Sequence, residues 1–229
     1  MATSNSTNFS TSRDELIKGA LRITGAIAQG ETPTADQVTE AAEALNMIAK
    51  SWQVDGMPLW VTKEYTLSLV ANTSSYTPTT KMLRVVSAYI RNNSNVDIPM
   101  TIITRDEYNR LGNKTTAGNP IQLLHIPNRT DSTIKVYPTP DSTSASNTII
   151  ITYQKPYDDF DTSTDEPEFP SEWFEALKFT LAHRLSSEYG MNLNDRKQLL
   201  SEAILLKSEA LSGGTEEGSI FFGANVRND

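Results

Sequence analysis

The sequence predicts an α+β protein, with a helical bundle, an inserted β-rich unit and an extended C-terminal tail. Apolar residues recur at helical spacing near both ends, alternate with polar residues in the middle third, and follow neither period in the last segment. The 229 residues are enough to bury a sizeable core. The predicted boundaries are 12–56 plus 170–211 for the bundle, 60–157 for the β-rich insertion and 212–229 for the tail.

Two helices are predicted at the start of the chain. Ser12-Arg13-Asp14-Glu15 has the spacing of a capping box, in which a Ser or Thr and a Glu or Gln three residues later each bind the other's backbone N–H. Apolar residues then keep helical spacing up to Gly30. Thr34-Ala35-Asp36-Gln37 repeats the box and starts a second helix, which is expected to stop at Gly56 and Pro58. The short link between the helices predicts an antiparallel hairpin.

The middle third carries the signal of strands. Between Trp60 and about Tyr157 the apolar residues alternate with polar ones, which is typical of strands with one buried and one solvent-exposed face. After the first strand, at residues 61–69, turn-forming residues separate further predicted strands near 82–91, 121–126, 132–137 and 147–154. Within this region, Thr104-Arg105-Asp106-Glu107 is expected to cap a short helix.

A long helix is predicted from about residue 170 to 190. Arg184 and Glu188 fall on the same face as its apolar residues and are four apart, so the two can form an ion pair. Arg before Glu is the less favourable order for a pair within one helix, which favours a partner outside it. The long side chains either extend past the helix edge to water or form a buried pair where helices or subunits meet. Both interpretations make the helix structural rather than catalytic. Its apolar face contains Trp173, Phe174, Leu181 and Leu185.

The last predicted helix, from about 194 to 211, has an unusually wide apolar face. We interpret this width as a contact face that touches two neighbours. One stripe consists of Leu199, Ala203, Leu206 and Ala210, and Leu200, Ile204 and Leu211 widen it.

The C-terminal tail combines glycines with a large apolar cluster. Ile220, Phe221 and Phe222 are consecutive and follow a glycine-rich stretch. Large apolar side chains are unfavourable in a tail that is exposed to water, so we expect another protein surface to cover these three. They either dock on the chain's own core or order on a partner, and about 17 extended residues reach ~55 Å, enough to cross onto another subunit.

Composition excludes several kinds of function. The chain has no cysteine, which excludes disulfides, and His125 and His183 are its two histidines, so neither a zinc site nor another cofactor is expected.

The net charge of -8 disfavours binding to phosphate, although an acidic wall would let DNA slide past. Lys81, Arg84 and Arg91 flank one strand and are a weak nucleic-acid signal. The sequence shows neither a run of ~20 apolar residues nor a secretion signal, so we expect no membrane association.

An acidic cluster offers the alternative of catalysis. A glycoside hydrolase needs two carboxylates about 5 to 9.5 Å apart on a rigid scaffold. The cluster instead lies in a Thr- and Pro-containing loop, which favours a solvated turn over a cation site or an active site. We therefore predict a protein that is not an enzyme, with a polysaccharide or cell-wall hydrolase as the alternative and a carbohydrate- or receptor-binding β-unit ranked last. The carboxylates are Asp158, Asp159, Asp161, Asp165, Glu166 and Glu168.

An ordered series of segments resembles a known family. Phe169–Leu177, Leu181–Leu185 and Glu188–Gly190 are similar to the closing helix of head-to-tail adaptor proteins from tailed, especially short-tailed, bacteriophages. The resemblance spans most of the chain. Further matching segments, in the same order, are Tyr65–Leu69, Leu83–Val85, Thr104–Tyr108, Val136–Pro140 and Thr152–Pro156.

The resemblance implies a structural protein of the virion neck, between capsid and tail. Such adaptors form a dodecameric ring beneath the portal protein, connect it to tail or nozzle proteins and help to retain packaged DNA, which passes through the lumen without specific binding. Their C-terminal tails lie along the portal, which makes Ile220, Phe221 and Phe222 the expected portal-binding residues. Assembly in the host cytoplasm is implied as well.

Overall fold

A computed structural model of the protein describes residues 5–53 and 61–213. Both helices and sheets are present, which confirms the predicted α+β class. The chain divides into two compact units, one formed by residues 1–45 together with 160–229 and the other by residues 46–159. The predicted tail lies outside the described residues from residue 214 onward.

Helix α1 spans Arg13–Thr24 and is capped at both ends. Ser12 Oγ accepts the Glu15 N–H at 3.3 Å, and Glu15 Oε2 accepts the Ser12 N–H at 2.9 Å, which confirms the capping box. Gly25 ends the helix with φ 76°, a left-handed conformation that glycine adopts without strain. The helix therefore stops earlier than Gly30, where its apolar spacing predicted the end.

Helix α2 spans Ala35–Trp52. Thr34 Oγ1 accepts the Gln37 N–H at 3.3 Å and Gln37 Oε1 accepts the Thr34 N–H at 2.9 Å, so the second capping box is also confirmed. The predicted stop at Gly56 and Pro58 lies outside the described residues.

Helix α4, Phe174–Leu185, packs against two other helices of its unit, α1 and α5. It is preceded by a 3₁₀ turn, Ser171–Trp173, and α5 spans Leu193–Gly213. The contact with α1 places Ile17 and Leu21 among the fully buried side chains, together with Leu177, Leu181 and Leu185 of α4. The helix ends at Leu185, before the predicted residue 190, and the chain continues in turns to Gly190, whose φ of 69° is left-handed.

The described part of residues 46–159 contains the end of α2, two four-stranded sheets, a two-stranded pair, one short α-helix and a 3₁₀ turn at Ser144–Ser146. The first sheet has the order β1-β10-β3-β4 and is antiparallel; the second has the order β2-β8-β7-β5, in which β5 and β7 are parallel. The elements are β1 Thr62–Ser68, β2 Ser75–Tyr76, β3 Arg84–Arg91, β4 Asp97–Pro99, β5 Thr101–Ile102, α3 Arg105–Arg110, β6 Ala117–Gly118, β7 Gln122–Pro127, β8 Ser132–Tyr137, β9 Thr139–Pro140 and β10 Thr148–Gln154.

One apolar core joins the two four-stranded sheets. Ile90 and Ile149 from the first sheet share it with Leu123, Ile134 and Val136 from the second, and all five are almost fully buried. In the first sheet, Leu67, Ile149, Ile90 and Ile98 lie opposite one another on one face. The alternation that predicted the strands therefore points one row of side chains into this core.

The short strand β4 forms one margin of the first sheet. Its Asp97 accepts two hydrogen bonds from Arg91 on β3, at 2.7 Å from Nε and 2.8 Å from Nη2. These hydrogen bonds lower the pKa of Asp97 and raise that of Arg91. Pro99, at the end of the strand, has no N–H to donate, so this margin is short, charged and poor in donors.

Candidate functional site

Two carboxylates of the acidic segment form ion pairs with lysines. Asp158 lies 3.0 Å from Lys155 and Asp159 lies 2.6 Å from Lys50, so each faces a cation rather than a second carboxylate. Within residues 5–53 and 61–213, no group of three or more His, Asp or Glu side chains is arranged to hold a metal ion. These contacts favour the structural interpretation of the segment.

Asp165 holds the turn that leads from the acidic segment to α4. Its carboxylate accepts the N–H groups of Asp161 and Thr162, both at 2.7 Å. Hydrogen bonds from the Thr162 side chain and backbone lower the pKa of Asp165. A general acid of a glycoside hydrolase needs a raised pKa instead. Arg13 ties the same turn to α1, donating its N–H to the Asp165 carbonyl at 2.8 Å.

The two histidines occupy structural surroundings. His125 Nε2 lies 3.3 Å from Ser132 Oγ, and this buried hydroxyl bridges the N–H and carbonyl of Met82. Burial lowers the pKa of His125. His183 lies half-buried on α4. Neither side chain activates a nucleophile in the contacts the structure shows.

Two of the three basic residues that flank β3 are engaged within the chain. Lys81 Nζ donates to the Arg129 carbonyl at 2.8 Å, and Arg91 binds Asp97. Arg84 is exposed. The three residues therefore do not form a free basic patch.

Arg184 and Glu188 are both exposed in the single chain. Since α4 ends at Leu185, Glu188 lies in the turn that follows, where its N–H donates to the Leu185 carbonyl at 2.9 Å. Helical spacing therefore does not apply to this pair. An ion pair between Arg184 and Glu188, or between either of them and another subunit, stays a prediction.

Helix α5 has an inner stripe that is covered within the chain. Leu199, Ala203 and Ala210 are buried and Leu206 is half-buried, in a helix that packs on α4 and on the turn at Ser171–Trp173. The sequence predicted these four residues as a contact face. Because the inner stripe is already used inside a single chain, a contact between copies has to use other residues of α5.

A second row of apolar side chains on α5 is open to solvent. Leu193, Leu200 and Ile204, which we call the outer stripe, are 63%, 40% and 60% exposed, and Leu205 beside them is 58% exposed. Nothing in the described part of the chain covers them. Exposed apolar residues grouped on one element mark a surface that meets a partner.

A groove lies between α1 and α4, within the same unit as α5. It has a volume of about 480 Å³, and a second cavity of about 420 Å³ shares Gly19, Arg22 and Lys178 with it. The Phe9 and Phe174 rings, 6.0 Å apart, lie at one end. Gly19 forms part of the wall, and a Cβ at this position would lie 3.0 Å from Lys178 Cδ.

Sequence reasoning missed the groove, although one signal was present. A glycine inside a helix costs about 1 kcal/mol relative to alanine, so Gly19 in the middle of α1 indicates a packing requirement.

The predicted portal-binding residues Ile220, Phe221 and Phe222 lie outside the described residues. No helix within the described ranges is both long and apolar enough to cross a membrane.

Comparisons with known proteins cover most of the chain. A family model described as SU10 adaptor protein matches residues 11–213. Among solved structures, a chain from the neck of an empty GTA particle is similar over 73% of this chain and 77% of its own, with 10% identity and a TM-score of 0.27. That score does not establish a shared fold. No match was found among curated proteins.

Proposed function

The chain belongs to the SU10 adaptor protein family, and from this premise we propose how it works in the particle. It is a head-to-tail adaptor of a tailed bacteriophage and a structural protein of the virion. We propose that copies assemble in the host cytoplasm into a closed ring, a dodecamer, which docks on the portal protein. The ring joins the portal to the tail or nozzle proteins and helps to retain packaged DNA.

The outer stripe of α5 is the observation that carries this proposal. A ring requires each copy to present two different surfaces, because a heterologous contact repeats around the axis until it closes. The inner stripe fixes α5 on α4, and the outer stripe, on a different side of the helix, is available for another chain. A helix with apolar residues on two sides is typical of an element between two partners.

The charge of the chain supports passage of DNA rather than binding. At a net charge of -8, a ring of copies repels phosphate, and Lys81 and Arg91 are held by contacts inside the chain. Retention of DNA would then depend on the ring closing the channel with further tail proteins, not on affinity for the duplex.

We assign portal docking to the C-terminal residues Ile220, Phe221 and Phe222. They lie seven to nine residues after Gly213, the last residue of α5, so an extended chain places them at most about 30 Å from the helix end. Apolar residues on such a segment gain most by ordering on a partner surface.

A truncation tests this assignment. Removal of residues 214–229 should abolish co-sedimentation with portal rings of the same phage, because the apolar anchor is lost. A full-length variant with Ile220, Phe221 and Phe222 changed to serine is the matched control for chain length and should behave in the same way. Undiminished binding of both variants would refute the anchoring role.

A further inference from the structure

We propose that the outer stripe of α5 in one copy inserts into the groove between α1 and α4 of the next copy. This inference rests on the proposed ring and names its contact. The two surfaces belong to the same compact unit, so every copy carries both of them. Since stripe and groove differ, the contact is heterologous and repeats from copy to copy.

The outer stripe has the geometry of a ridge. At about 100° per residue, Leu193, Leu200 and Ile204 lie within about 40° of one another around α5. The inner stripe lies roughly 110° away and is held on α4, so α5 cannot turn its outer stripe into the groove of its own chain. An occupant of the groove in this mode has to come from another copy.

The groove has the lining that such a ridge needs. Phe9, which is 72% exposed, contributes open apolar surface, Leu16 and Phe174 form a buried apolar floor, and the adjoining cavity adds the half-buried Ile23 and the buried Ile27. Gly19 keeps the groove open, because a larger side chain at this position would fill the space beside the aliphatic part of the Lys178 side chain. A row of branched aliphatic side chains fits a trough between two helices that has an apolar floor and charged walls, in the manner of helix-in-groove recognition.

Charge complementarity favours a second copy over an unrelated apolar segment. The groove carries three carboxylates, Glu15, Glu172 and Glu175, beside the cations Arg22 and Lys178. On α5, the exposed Lys197 lies within about 40° of the line of the outer stripe. This cation beside the ridge and the surplus of carboxylates along the trough set the register of the contact.

Cross-linking in the full-length protein tests the contact, because the natural chain has no cysteine to interfere. One variant carries Ile204→Cys and a second carries Arg22→Cys. The two are mixed, assembled with portal rings of the same phage and treated with a short bis-maleimide linker. We expect covalent dimers in the mixture and not with either variant alone. The matched control replaces Ile204→Cys by Glu202→Cys, at an exposed position on the other side of α5.

Each outcome is decisive. Dimers in the Ile204→Cys and Arg22→Cys mixture, without dimers in the Glu202→Cys control, support the inference. Linkage of Ile204→Cys copies to each other would show an α5-to-α5 contact and overturn it. Rings that form without linkage at these positions overturn the inference but leave the adaptor ring intact. A chain that stays monomeric beside portal rings, measured by light scattering, refutes the proposed ring itself and the inference with it.

Discussion

At the scale of single residues, two aspartates hold turns of the chain. Asp165 accepts two backbone N–H groups, and Asp141 accepts the N–H of Ser144 at 2.7 Å and its hydroxyl at 2.7 Å. In both cases these hydrogen bonds lower the pKa of the carboxyl group. A carboxylate whose pKa is lower in the folded chain stabilises the fold when it is ionised.

The charge of Asp165 should therefore give a pH-dependent contribution to stability. Its folded pKa is lowered, so the contribution is present above the unfolded value of about 3.9 and is lost as pH falls through the folded pKa. We expect Asp165→Asn to lower the urea midpoint at pH 7 and to converge with the wild type in acid. Glu166→Gln, an exposed neighbour, should leave the midpoint unchanged at both pH values. A pH-independent loss in Asp165→Asn would contradict this explanation.

The cap of α1 offers a second test at this scale. Ser12→Ala removes the acceptor for the Glu15 N–H and should lower the free energy of unfolding by about 1 kcal/mol. Ser12→Asp keeps an acceptor at the helix start and should retain most of the stability. Urea titration of the three proteins measures the difference. Equal loss in both variants would mean that the cap is not the source of the stability.

At the scale of elements, neighbouring residues of α5 should respond in opposite ways. Ala203 belongs to the inner stripe, so Ala203→Glu buries a carboxylate against α4 and should cost about 2–4 kcal/mol of folding stability. Ile204 belongs to the outer stripe, so Ile204→Glu should change stability by less than about 0.5 kcal/mol and prevent ring assembly. Thermal unfolding and light scattering separate the two effects. Normal rings from Ile204→Glu would refute the role of the outer stripe.

Local signals predicted the starts of elements better than their ends. The capping boxes at Ser12, Thr34 and Thr104 are all present, because the interacting groups lie three residues apart. The end of α1 at Gly25 was not predicted, since the apolar spacing continues past it. Strands of two residues, such as β2 and β5, are too short to show a period and follow from their pairing with longer strands.

The candidate site was predictable in part. The two stripes of α5 have the same helical spacing, so the sequence could not tell whether Leu199 or Leu200 would face α4. Which of the two residues faces α4 depends on how α4 and α5 pack together. The spacing of apolar residues within α5 carries no information on that packing. The groove forms where α1 and α4 meet, and these helices are far apart in sequence, so nothing local to Gly19 identifies its neighbour Lys178.

At the scale of the whole molecule, the excess of acidic residues should keep the protein from binding nucleic acid. With a net charge of -8, we expect no retardation of duplex DNA in a gel-shift assay, even at low ionic strength where attraction would be strongest. The same assay on assembled rings checks that the ring, like the single chain, does not retard DNA. A shift that weakens steeply with added salt would reveal a basic surface and contradict a passive channel.

The edge strand β4 of the first sheet matters most when many copies of the protein pack next to one another. A long unpaired strand at that place would let one sheet extend into the next copy's sheet, and such growth has no natural limit. Since β4 has only three residues, Pro99 has no N–H to donate, and the side chains of Asp97 and Arg91 add charge, this edge offers little for another strand to pair with. Subunits packed closely together are therefore protected from open-ended sheet growth at this edge, and the number of subunits is set by other surfaces.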